Sequence, residues 1–419
     1  MSKTIIIIGA GLAGLSAALQ AAENGCNVKL VSSLPSERAQ SVMAEGGINA
    51  ALNTKDENDS PEEHFTDTIK AACGLADPNA VWGMTQAAPE LVHWLLKLGV
   101  KFNMSGYDDV DLRNFGGQKK KRTAFAQSDT GKQIMTAMID AVRRKEASGM
   151  VERFSHHSFL TLRLCDNICC GCVIRDEYSQ ETVELPGDAV IVATGGMHGL
   201  FGNTTGSLSN TGEVTAELFR LGVPLANGEM IQYHPTTVKC GGKRMLISEA
   251  ARGEGGRLFA MKDGKQWYFM EEKYPELGNL MPRDITAREI WKVSHESEVF
   301  LDMTEISDEI ISNKLSGLAD DCMTYLHKDI RKEPVSVLPG IHYFMGGILV
   351  DEQHRTPIQN LYAAGECCAQ YHGANRLGGN SLLGALYGGR VAAKSACEQA
   401  DVVAVSYTHL RAHETLRHL

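Results

Sequence analysis

Three glycines near the amino terminus have the spacing of a loop that holds phosphate groups. Gly9, Gly11 and Gly14 follow an apolar run at residues 5–8 and precede an alanine- and leucine-rich helical pattern at residues 12–23. Gly9 permits a tight turn, Gly11 lets the backbone approach a pyrophosphate, and Gly14 lets the helix pack closely on the strand. The amino terminus of that helix faces the phosphates. Strand, glycine turn and helix together predict a dinucleotide site.

The end of the second strand departs from the common dinucleotide pattern. This strand is predicted at residues 28–31, and Ser32 and Ser33 follow it in place of the usual acidic residue. We expect the Ser32 hydroxyl to take over the contact that such an acid makes with a ribose.

Two later strands also end in glycine, and they favour FAD over NAD. They are "VIVATGG" at residues 190–196 and "LYAAGE" at residues 361–366. In flavoproteins such strands return to the adenosine and ribityl parts of the cofactor, whereas a plain NAD dehydrogenase does not need them. The expected cofactor contacts from these strand ends are Ala193, Thr194, Gly195, Gly365 and Glu366.

The composition is that of a globular protein with a large core. The 419 residues are 43% hydrophobic and 22% charged, which suits two domains or one large domain with an insertion. A net charge of −10 disfavours nucleic-acid binding. The sequence shows neither a signal-peptide pattern nor the roughly 20 consecutive apolar residues of a membrane span. We therefore expect a cytoplasmic protein.

Two local clusters allow more than one interpretation. Among eleven cysteines, Cys169, Cys170 and Cys172 lie close together, but no second pair at ligand spacing completes a metal site. We interpret them as reduced cysteines in or near a strand and expect no metal. The lysines of the basic run at residues 119–122 are interpreted as lining a solvated loop, the alternative being a surface for an acidic redox partner.

The predicted elements indicate an α/β fold. We expect a Rossmann-like FAD-binding domain that is discontinuous, with an inserted α+β domain and three short antiparallel strands between residues 159 and 185. The expected divisions are 1–227 for the first part of the FAD-binding domain, 228–339 for the insertion, 340–404 for the second part and 405–419 for a tail. The tail holds His409, His413 and His418, which could bind a metal. It resembles translated adapter sequence, and we interpret it as foreign.

Six motifs in a fixed order resemble one enzyme family. They are "AEGG" (44–47), "QYHPT" (232–236), "SEAARGEGG" (248–256), "MPRD" (281–284), "IHYFMGG" (341–347) and "HGANRLGGNSLL" (372–383). Together they resemble the flavoprotein subunits of fumarate reductase and succinate dehydrogenase, a family that also includes L-aspartate oxidase. The resemblance spans residues 1 to about 400. It implies that the inserted domain caps the FAD-binding domain and that a dicarboxylate lies between the two.

The chemistry of a dicarboxylate agrees with these motifs. Arg376 can hold one carboxylate by two hydrogen bonds, and His234 and His342 can donate to the other. The resemblance implies that Arg283 is the proton donor. An arginine has a pKa above about 12 and is a poor acid in water, so it needs a relay that returns the proton. Glu249 and Arg252 match the relay positions of the family. The family further implies substrate contacts from Ser248, Phe115 and Gly116, and cofactor contacts from Ser41, Ala44, Glu45, Gly46, Gly47, Ser381 and Leu382.

Two residues favour fumarate over L-aspartate as substrate. By resemblance, Phe115 stands where aspartate oxidases place a glutamate that balances the substrate ammonium, and Glu45 also follows the fumarate and succinate pattern. An ammonium without a partner is costly in a closed site. L-aspartate oxidase remains an alternative, as do an inactive FAD-binding fragment and a non-catalytic electron conduit. Ser248 stands where threonine is common, and Gly384 where an acid is common.

One residue in "RAQS" bears on how the cofactor is attached. Many respiratory members of the family have a histidine that bonds covalently to FAD, and Gln40 stands at that position. An amide cannot form this bond, so we expect non-covalent FAD. Because the histidyl bond raises the flavin potential, its absence favours fumarate reduction.

The electrons must come from another molecule. The sequence holds no array of CxxC pairs for iron–sulfur centres, and family members continue into a helical domain that helps dock an iron–sulfur subunit. The resemblance therefore implies electron transport with such a subunit as a partner. Through it, the chain would lie on the inner face of a membrane without spanning it.

Overall fold

A computed structural model describes residues 2–106 and 108–400. The predicted tail at 405–419 and residues 401–404 lie outside the described residues. Within them, no helix combines the length and the apolar composition that crossing a bilayer requires.

The described residues form α-helices and short strands. The helices are α1 (Leu12–Glu23), α2 (Pro61–Ala72), α3 (Pro78–Leu98), α4 (Thr130–Ala147), α5 (Glu213–Arg220), α6 (Glu249–Gly253), α7 (Phe269–Lys273), α8 (Arg283–Ser294), α9 (Asp308–Lys314), α10 (Ser316–Asp321) and α11 (Asn380–Gln399). The strands are β1 (Thr4–Ile8), β2 (Asn27–Ser32), β3 (Ile48–Asn49), β4 (Leu112–Arg113), β5 (Thr123–Ala124), β6 (Val151–Ser155), β7 (His157–Cys165), β8 (Ile168–Asp176), β9 (Thr182–Pro186), β10 (Ala189–Val192), β11 (Leu225–Ala226), β12 (Ile231–Cys240), β13 (Lys243–Leu246), β14 (Arg257–Lys262), β15 (Lys265–Trp267), β16 (Val299–Asp302), β17 (Val335–Ser336), β18 (Leu338–Phe344), β19 (Gly347–Leu349), β20 (Leu361–Ala363) and β21 (Cys368–Ala369).

A parallel five-stranded sheet in the order β20-β10-β1-β2-β6 forms the centre of the region predicted to bind the cofactor. Ile8 pairs with Val31 on one side and Val192 on the other, so the carboxyl ends of these strands meet at one edge. Ligands bind at this edge in open parallel sheets. The predicted strand, turn and helix at the amino terminus are confirmed.

This sheet is covered on both faces, which explains its continuous apolar strands. Ile5 and Ile7 belong to the apolar core that α1, α3, α4 and α11 share, whereas Ile6 and Ile8 belong to the core that includes the antiparallel sheet β7-β8-β9. The three predicted antiparallel strands are therefore confirmed. Cys169 and Cys172 are buried on β8 in the core below the parallel sheet, and the cysteines of the described residues are not disulfide-bonded.

The region after β11 has its own core. An antiparallel sheet in the order β15-β14-β16-β17 packs with α6 to α10, and its apolar cluster runs from Ile247 to Val337 with Phe115 added from the other region. The sheet β13-β12-β18 joins the two regions. The predicted boundary at 339 and 340 falls inside β18, and the division into domains remains a prediction. The parallel sheet between helices and the separate α+β region agree with the predicted α/β fold class.

Candidate active site

A cavity of about 780 Å³ extends from the carboxyl ends of β1, β2 and β10 to the paired strands β12 and β18. One end is formed by glycines and small side chains, and the other by arginines and histidines. The cavity lies between the parallel sheet and the capping region, where the resemblance predicts the cofactor and the substrate.

At the nucleotide end the glycines are required by close packing. A Cβ atom on Gly14 would lie 1.8 Å from the carbonyl oxygen of Gly9, so any side chain would push α1 away from β1. Gly9 has a φ of 111° and lies against Ala193, where a Cβ would come within 2.3 Å of a carbonyl oxygen. Gly9 and Gly11 line the cavity, whereas Gly14 supports the turn from behind.

Ser32 shows that the nucleotide end suits a hydroxyl-bearing ligand. It ends β2 and lines the cavity, and its buried Oγ has no hydrogen-bond partner in the described residues. A buried hydroxyl without a partner is costly, and a ribose hydroxyl would supply one. The residues therefore fit FAD. The predicted cofactor residues that line the cavity are Gly9, Gly11, Ser32, Ser41, Ala44, Glu45, Gly46, Gly47, Ala193, Thr194, Gly195, Gly365, Glu366, Ser381 and Leu382.

The segment before β3 lies along the middle of the cavity. Gln40 and Ser41 both line it, and Ser41 Oγ accepts a hydrogen bond from the backbone N–H of Leu12 at 3.3 Å. The Ser41 hydroxyl proton remains available to a cofactor. Burial raises the pKa of Glu45 to about 8, with a further rise from Asp321. Its Oε2 is buried without a hydrogen-bond partner in the described residues.

Three charged residues form a buried chain at the substrate end. Arg283 begins α8, and its Nε donates to Glu249 Oε2 at 2.8 Å while its Nη2 lies 2.6 Å from the same oxygen. Arg252 Nη2 lies 3.3 Å from the other oxygen, Oε1. Glu249 and Arg252 share α6 three residues apart, which places both on one face. The chain therefore has the order Arg283, Glu249, Arg252.

Electrostatics keep the Glu249 carboxylate of this chain ionised. Burial opposes the charge on Glu249, but Arg283 and Arg252 outweigh it and lower its pKa below the ordinary value. Burial lowers the pKa of Arg252 and the Glu249 carboxylate counteracts it. Arg283 lines the cavity, whereas Arg252 lies behind Glu249, away from the cavity lining. A proton lost by Arg283 can therefore be replaced from the side opposite the substrate.

Two histidines meet because β12 and β18 pair. Tyr233 on β12 pairs with Ile341 on β18, so His234 and His342 lie next to each other with ring centroids 5.0 Å apart. Burial and the nearby Arg283 hold the pKa of both well below the ordinary value. Both rings are neutral near pH 7, and each can donate one hydrogen bond to a carboxylate.

Arg376 lines the same cavity as Arg283 and brings a further guanidinium to it. Its guanidinium carbon lies 4.3 Å from the ring centroid of Tyr343, and its Nε is buried without a hydrogen-bond partner in the described residues. Burial, followed by repulsion from Arg283, lowers the pKa of Arg376 to about 9. A bound carboxylate would supply both the missing acceptor and the missing negative charge.

The remaining predicted substrate residues divide into two groups. Ser248 lines the cavity and caps α6, because its Oγ accepts from the backbone N–H of Ala250 at 3.4 Å. Phe115 also lines the cavity. Gly116 is absent from the lining among the described residues. Its backbone N–H donates to Glu249 Oε1 at 2.9 Å, so it supports the relay.

Gln232 was not singled out by the sequence, although it lies inside the quoted "QYHPT". Its Oε1 accepts from Arg283 Nη1 at 3.1 Å, and its Nε2 donates to the backbone carbonyl of Arg376 at 2.7 Å and to Asn375 Oδ1 at 2.9 Å. Asn375 in turn donates to Asp284 Oδ1 at 3.0 Å. Gln232 therefore fixes Arg283 and the backbone of Arg376 relative to each other.

Thr205 is a second residue that sequence reasoning missed. It lines the cavity, and its Oγ1 lies 2.8 Å from His342 Nδ1. This contact orients the ring and leaves Nε2 as the nitrogen for a ligand. No local pattern around Thr205 marks it, since only the packing of its loop on β18 brings it to His342.

No group of three or more His, Cys, Asp or Glu side chains in the described residues is placed to hold a metal ion.

Comparisons with known proteins agree with this geometry. The FAD binding domain family matches residues 4–382. The chain is 45% identical over 403 residues to the succinate dehydrogenase flavoprotein subunit of Bacillus subtilis, covering 94% of this chain and 69% of that protein. It is 34% identical over 425 residues to the 8-methylmenaquinol:fumarate reductase flavoprotein subunit of Wolinella succinogenes, covering 98% of this chain and 68% of that protein.

A solved structure shows the same fold. E. coli quinol fumarate reductase FrdA superimposes with a TM-score of 0.91 at 30% sequence identity, covering 99% of this chain and 73% of that one.

Proposed function

This chain belongs to the family of flavoprotein subunits of succinate dehydrogenases and fumarate reductases, and we propose that it interconverts fumarate and succinate in the cavity described above. The observation that carries this proposal is the charge of the substrate end. Arg283 and Arg376 both line it, and no carboxylate in the described residues lies within ion-pair distance of Arg376. A dicarboxylate supplies two negative charges at that place.

The residues of this chain have separate roles in the proposed reaction. Arg376 holds one carboxylate of fumarate, and the neutral His234 and His342 donate to the other. Bound FAD supplies the hydride in fumarate reduction and accepts it in succinate oxidation. Arg283 gives a proton to the alkene carbon next to the one that receives the hydride. Glu249 holds the Arg283 guanidinium in place and returns the proton.

The protein around these residues supports the reaction in two ways. The capping region, which we place at residues 228–339, covers the cavity and keeps water from the reacting atoms. Gln232 holds Arg283 and the backbone of Arg376 at a fixed separation, so that the proton donor and the carboxylate clamp act on one substrate molecule.

We propose that reduction of fumarate is the favoured direction. Gln40 lines the cavity where a histidine would make the covalent bond to FAD. The covalent bond raises the reduction potential of the flavin. Non-covalent FAD lacks this rise, and a lower flavin potential favours reduction of fumarate. Acid precipitation of the holoprotein should leave the yellow colour in the supernatant, and colour that stays with the pellet would contradict non-covalent binding.

Succinate oxidation is the second candidate direction. The relative at 45% identity carries the name of a succinate dehydrogenase subunit. Steady-state rates in both directions, with a reduced viologen and fumarate or with succinate and an artificial acceptor, decide between them. A larger kcat/KM for succinate oxidation would overturn the favoured direction.

The main test is anaerobic oxidation of a reduced viologen by fumarate, catalysed by the purified protein with FAD. We expect turnover. A flavin absorption spectrum that fumarate does not perturb would instead support a non-catalytic protein that only conducts electrons. L-aspartate is the control substrate, because Phe115 offers no carboxylate to its ammonium. Steady formation of hydrogen peroxide from L-aspartate in air would establish an aspartate oxidase.

We propose that an iron–sulfur subunit exchanges electrons with this chain on the inner face of a membrane. The names of the relatives describe them as subunits, which supports a partner. Co-purification of a subunit with iron–sulfur absorption would test this proposal.

A further inference from the structure

His198 is a buried histidine that lies between the cofactor end and the substrate end of the cavity. It follows β10 and the glycines at 195 and 196, and its side chain is 0% exposed. It is not among the described residues that line the cavity. The ring nitrogens of a buried histidine need hydrogen-bond partners, and each nitrogen of His198 reaches a different part of the site.

The Nε2 atom of His198 contacts a residue of the cofactor end. It lies 3.2 Å from Glu366 Oε1, and the same oxygen accepts from the backbone N–H of Phe344 at 3.0 Å. A carboxylate oxygen accepts hydrogen bonds, so Nε2 donates at this contact. Glu366 lines the cavity beside Gly196, where a Cβ atom would come within 2.6 Å of Oε1. Two donors therefore fix the Glu366 carboxylate where the sequence predicts a cofactor contact.

The Nδ1 atom of His198 contacts the loop that orients a substrate histidine. It lies 2.8 Å from Thr204 Oγ1, and the hydroxyl of the next residue, Thr205, lies 2.8 Å from His342 Nδ1. The loop also follows β18, because the backbone N–H of Thr205 donates to the carbonyl of Ile341 at 2.9 Å. A shift of Thr204 would therefore move the Thr205 hydroxyl and with it the ring of His342.

Close packing holds the His198 ring in one position. The Phe344 ring meets it edge-on, with ring centroids 5.0 Å apart and an angle of 85° between the ring planes. Gly206, which ends the same loop, lies so close that a Cβ atom there would come within 2.2 Å of the His198 ring. The ring therefore keeps Glu366 and Thr204 at a constant separation.

We infer that His198 positions the cofactor end and the substrate end relative to each other, with Nε2 holding Glu366 and Nδ1 holding the loop of Thr204 and Thr205. The inference rests on the proposed function, in which Glu366 contacts FAD and His342 donates to a carboxylate of fumarate. A reaction between two bound molecules requires both to be held in one geometry. His198 acts through the residues that it contacts, so it is a positioning residue.

Two substitutions at His198 separate its two contacts. The side-chain amide in His198→Gln is as many bonds from Cβ as Nε2, so it keeps a donor for Glu366 and loses the contact with Thr204. KM for fumarate should rise about tenfold, while kcat and the Kd of FAD stay at their wild-type values. Because His342 binds a carboxylate and not the reacting carbon, its displacement changes binding of fumarate more than the chemical step.

His198→Asn should have the opposite pattern. Its amide is as many bonds from Cβ as Nδ1, so it keeps the contact with Thr204 and loses the donor to Glu366. The Kd of FAD should rise about tenfold, while KM for fumarate at saturating FAD stays at its wild-type value. Quenching of FAD fluorescence by the flavin-free protein measures Kd, and viologen oxidation by fumarate measures KM.

Thr204→Val provides an independent test, because it removes the contact with Nδ1 and leaves His198 in place. It should raise KM for fumarate as His198→Gln does and keep the wild-type Kd of FAD. The control is His93→Gln, at an exposed histidine whose Nδ1 contacts the carbonyl of Pro89 within α3. This variant should keep both wild-type values, and thermal unfolding of every flavin-free variant shows whether it is folded.

Equal changes in Kd and KM in His198→Gln and His198→Asn would overturn the inference, as would wild-type values in both. A wild-type KM in Thr204→Val would also overturn it, even if the His198 variants do not fold. A wild-type protein that binds FAD without turning over fumarate would overturn the proposed function. In that case the Kd of FAD in the two His198 variants still decides whether His198 holds the cofactor end, so the two failures are distinguishable.

Discussion

Two clusters of fully buried charge in this molecule have opposite excess charge. In the relay, Arg283 and Arg252 flank one carboxylate, Glu249. In the second cluster, one guanidinium, Arg122, pairs with two carboxylates: Nη2 lies 2.8 Å from Asp59 Oδ1, and Nη1 lies 3.0 Å from Asp67 Oδ2. The relay lies beside the cavity, whereas Arg122 is not among the described residues that line it.

The difference shows that buried charge alone does not mark a catalytic site. The cluster of Arg122 joins Asp59, before α2, and Asp67, within α2, to the residue before β5, and its excess charge is negative. The relay has one more positive than negative group, and Arg376 in the same cavity adds another positive charge. The charge of this region is therefore balanced only when an anion is bound. The sign of the excess charge and the contact with a cavity together distinguish a catalytic cluster from a structural one.

The largest effect is expected from Arg283→Ala. Because Arg283 is the proposed proton donor, kcat for fumarate should fall by roughly 10²–10⁴ or more, while the protein keeps its FAD. Viologen oxidation measures the rate and flavin absorbance measures the cofactor. Turnover retained by this variant would refute the assigned donor.

Arg122→Met should act on stability instead. Two buried carboxylates would lose their partner, which costs about 3–5 kcal/mol in the free energy of unfolding. Urea unfolding measures the loss, and the folded fraction should keep the wild-type KM for fumarate. The control is Arg143→Met, because Arg143 pairs with Glu37 at the surface and should cost about 1 kcal/mol or less. Equal losses in the two variants would remove the distinction between the clusters.

Gln232→Leu should have an intermediate effect. Arg283 would lose one hydrogen-bond acceptor and the carbonyl of Arg376 would lose one donor. We therefore expect kcat/KM to fall about tenfold, which corresponds to a loss of roughly 1.4 kcal/mol in transition-state stabilisation. Gln86→Leu, at an exposed glutamine, is the control and should keep the wild-type kcat/KM. A loss of stability with unchanged kcat/KM in Gln232→Leu would assign it a purely structural role.

The smallest effect concerns Glu45, a buried carboxyl that has no bonded cation. Its pKa in the fold is about 8 against an ordinary value of 4.5, so its contribution to stability is complete below pH 4.5 and is lost as the pH rises through 8. Glu45→Gln removes this loss. The measured quantity is the Tm of the flavin-free variant minus that of the flavin-free wild type. Between about pH 5 and about pH 9, this difference should increase by about 2 °C or more, which corresponds to roughly 1 kcal/mol in the free energy of unfolding. A difference in Tm that does not change with pH would show that Glu45 stays ionised.

Much of the fold could be predicted from local pattern. The apolar strand, the glycine turn and the helix of the nucleotide end lie within the first 23 residues, so their pattern is visible locally although β1 pairs with β10 and α1 packs on α11. Asp77 is of a residue type that favours helix caps, and its Oδ1 accepts from the backbone N–H of Asn79 at 2.8 Å at the start of α3. The basic run at residues 119–122, interpreted as part of a loop, lies between the short strands β4 and β5. Two-residue strands have no periodicity to detect.

Motifs and periodicity are local, so the residue types available for chemistry and the positions of most strands and helices could be inferred from the sequence. Which of those residues meet depends on long-range packing. His234 and His342 are neighbours because β12 pairs with β18, Gly116 supports Glu249 from a distant loop, and Arg252 lies on the outer side of the relay instead of in the cavity. These contacts join segments far apart in the chain, and their geometry depends on how the sheets and the capping region pack.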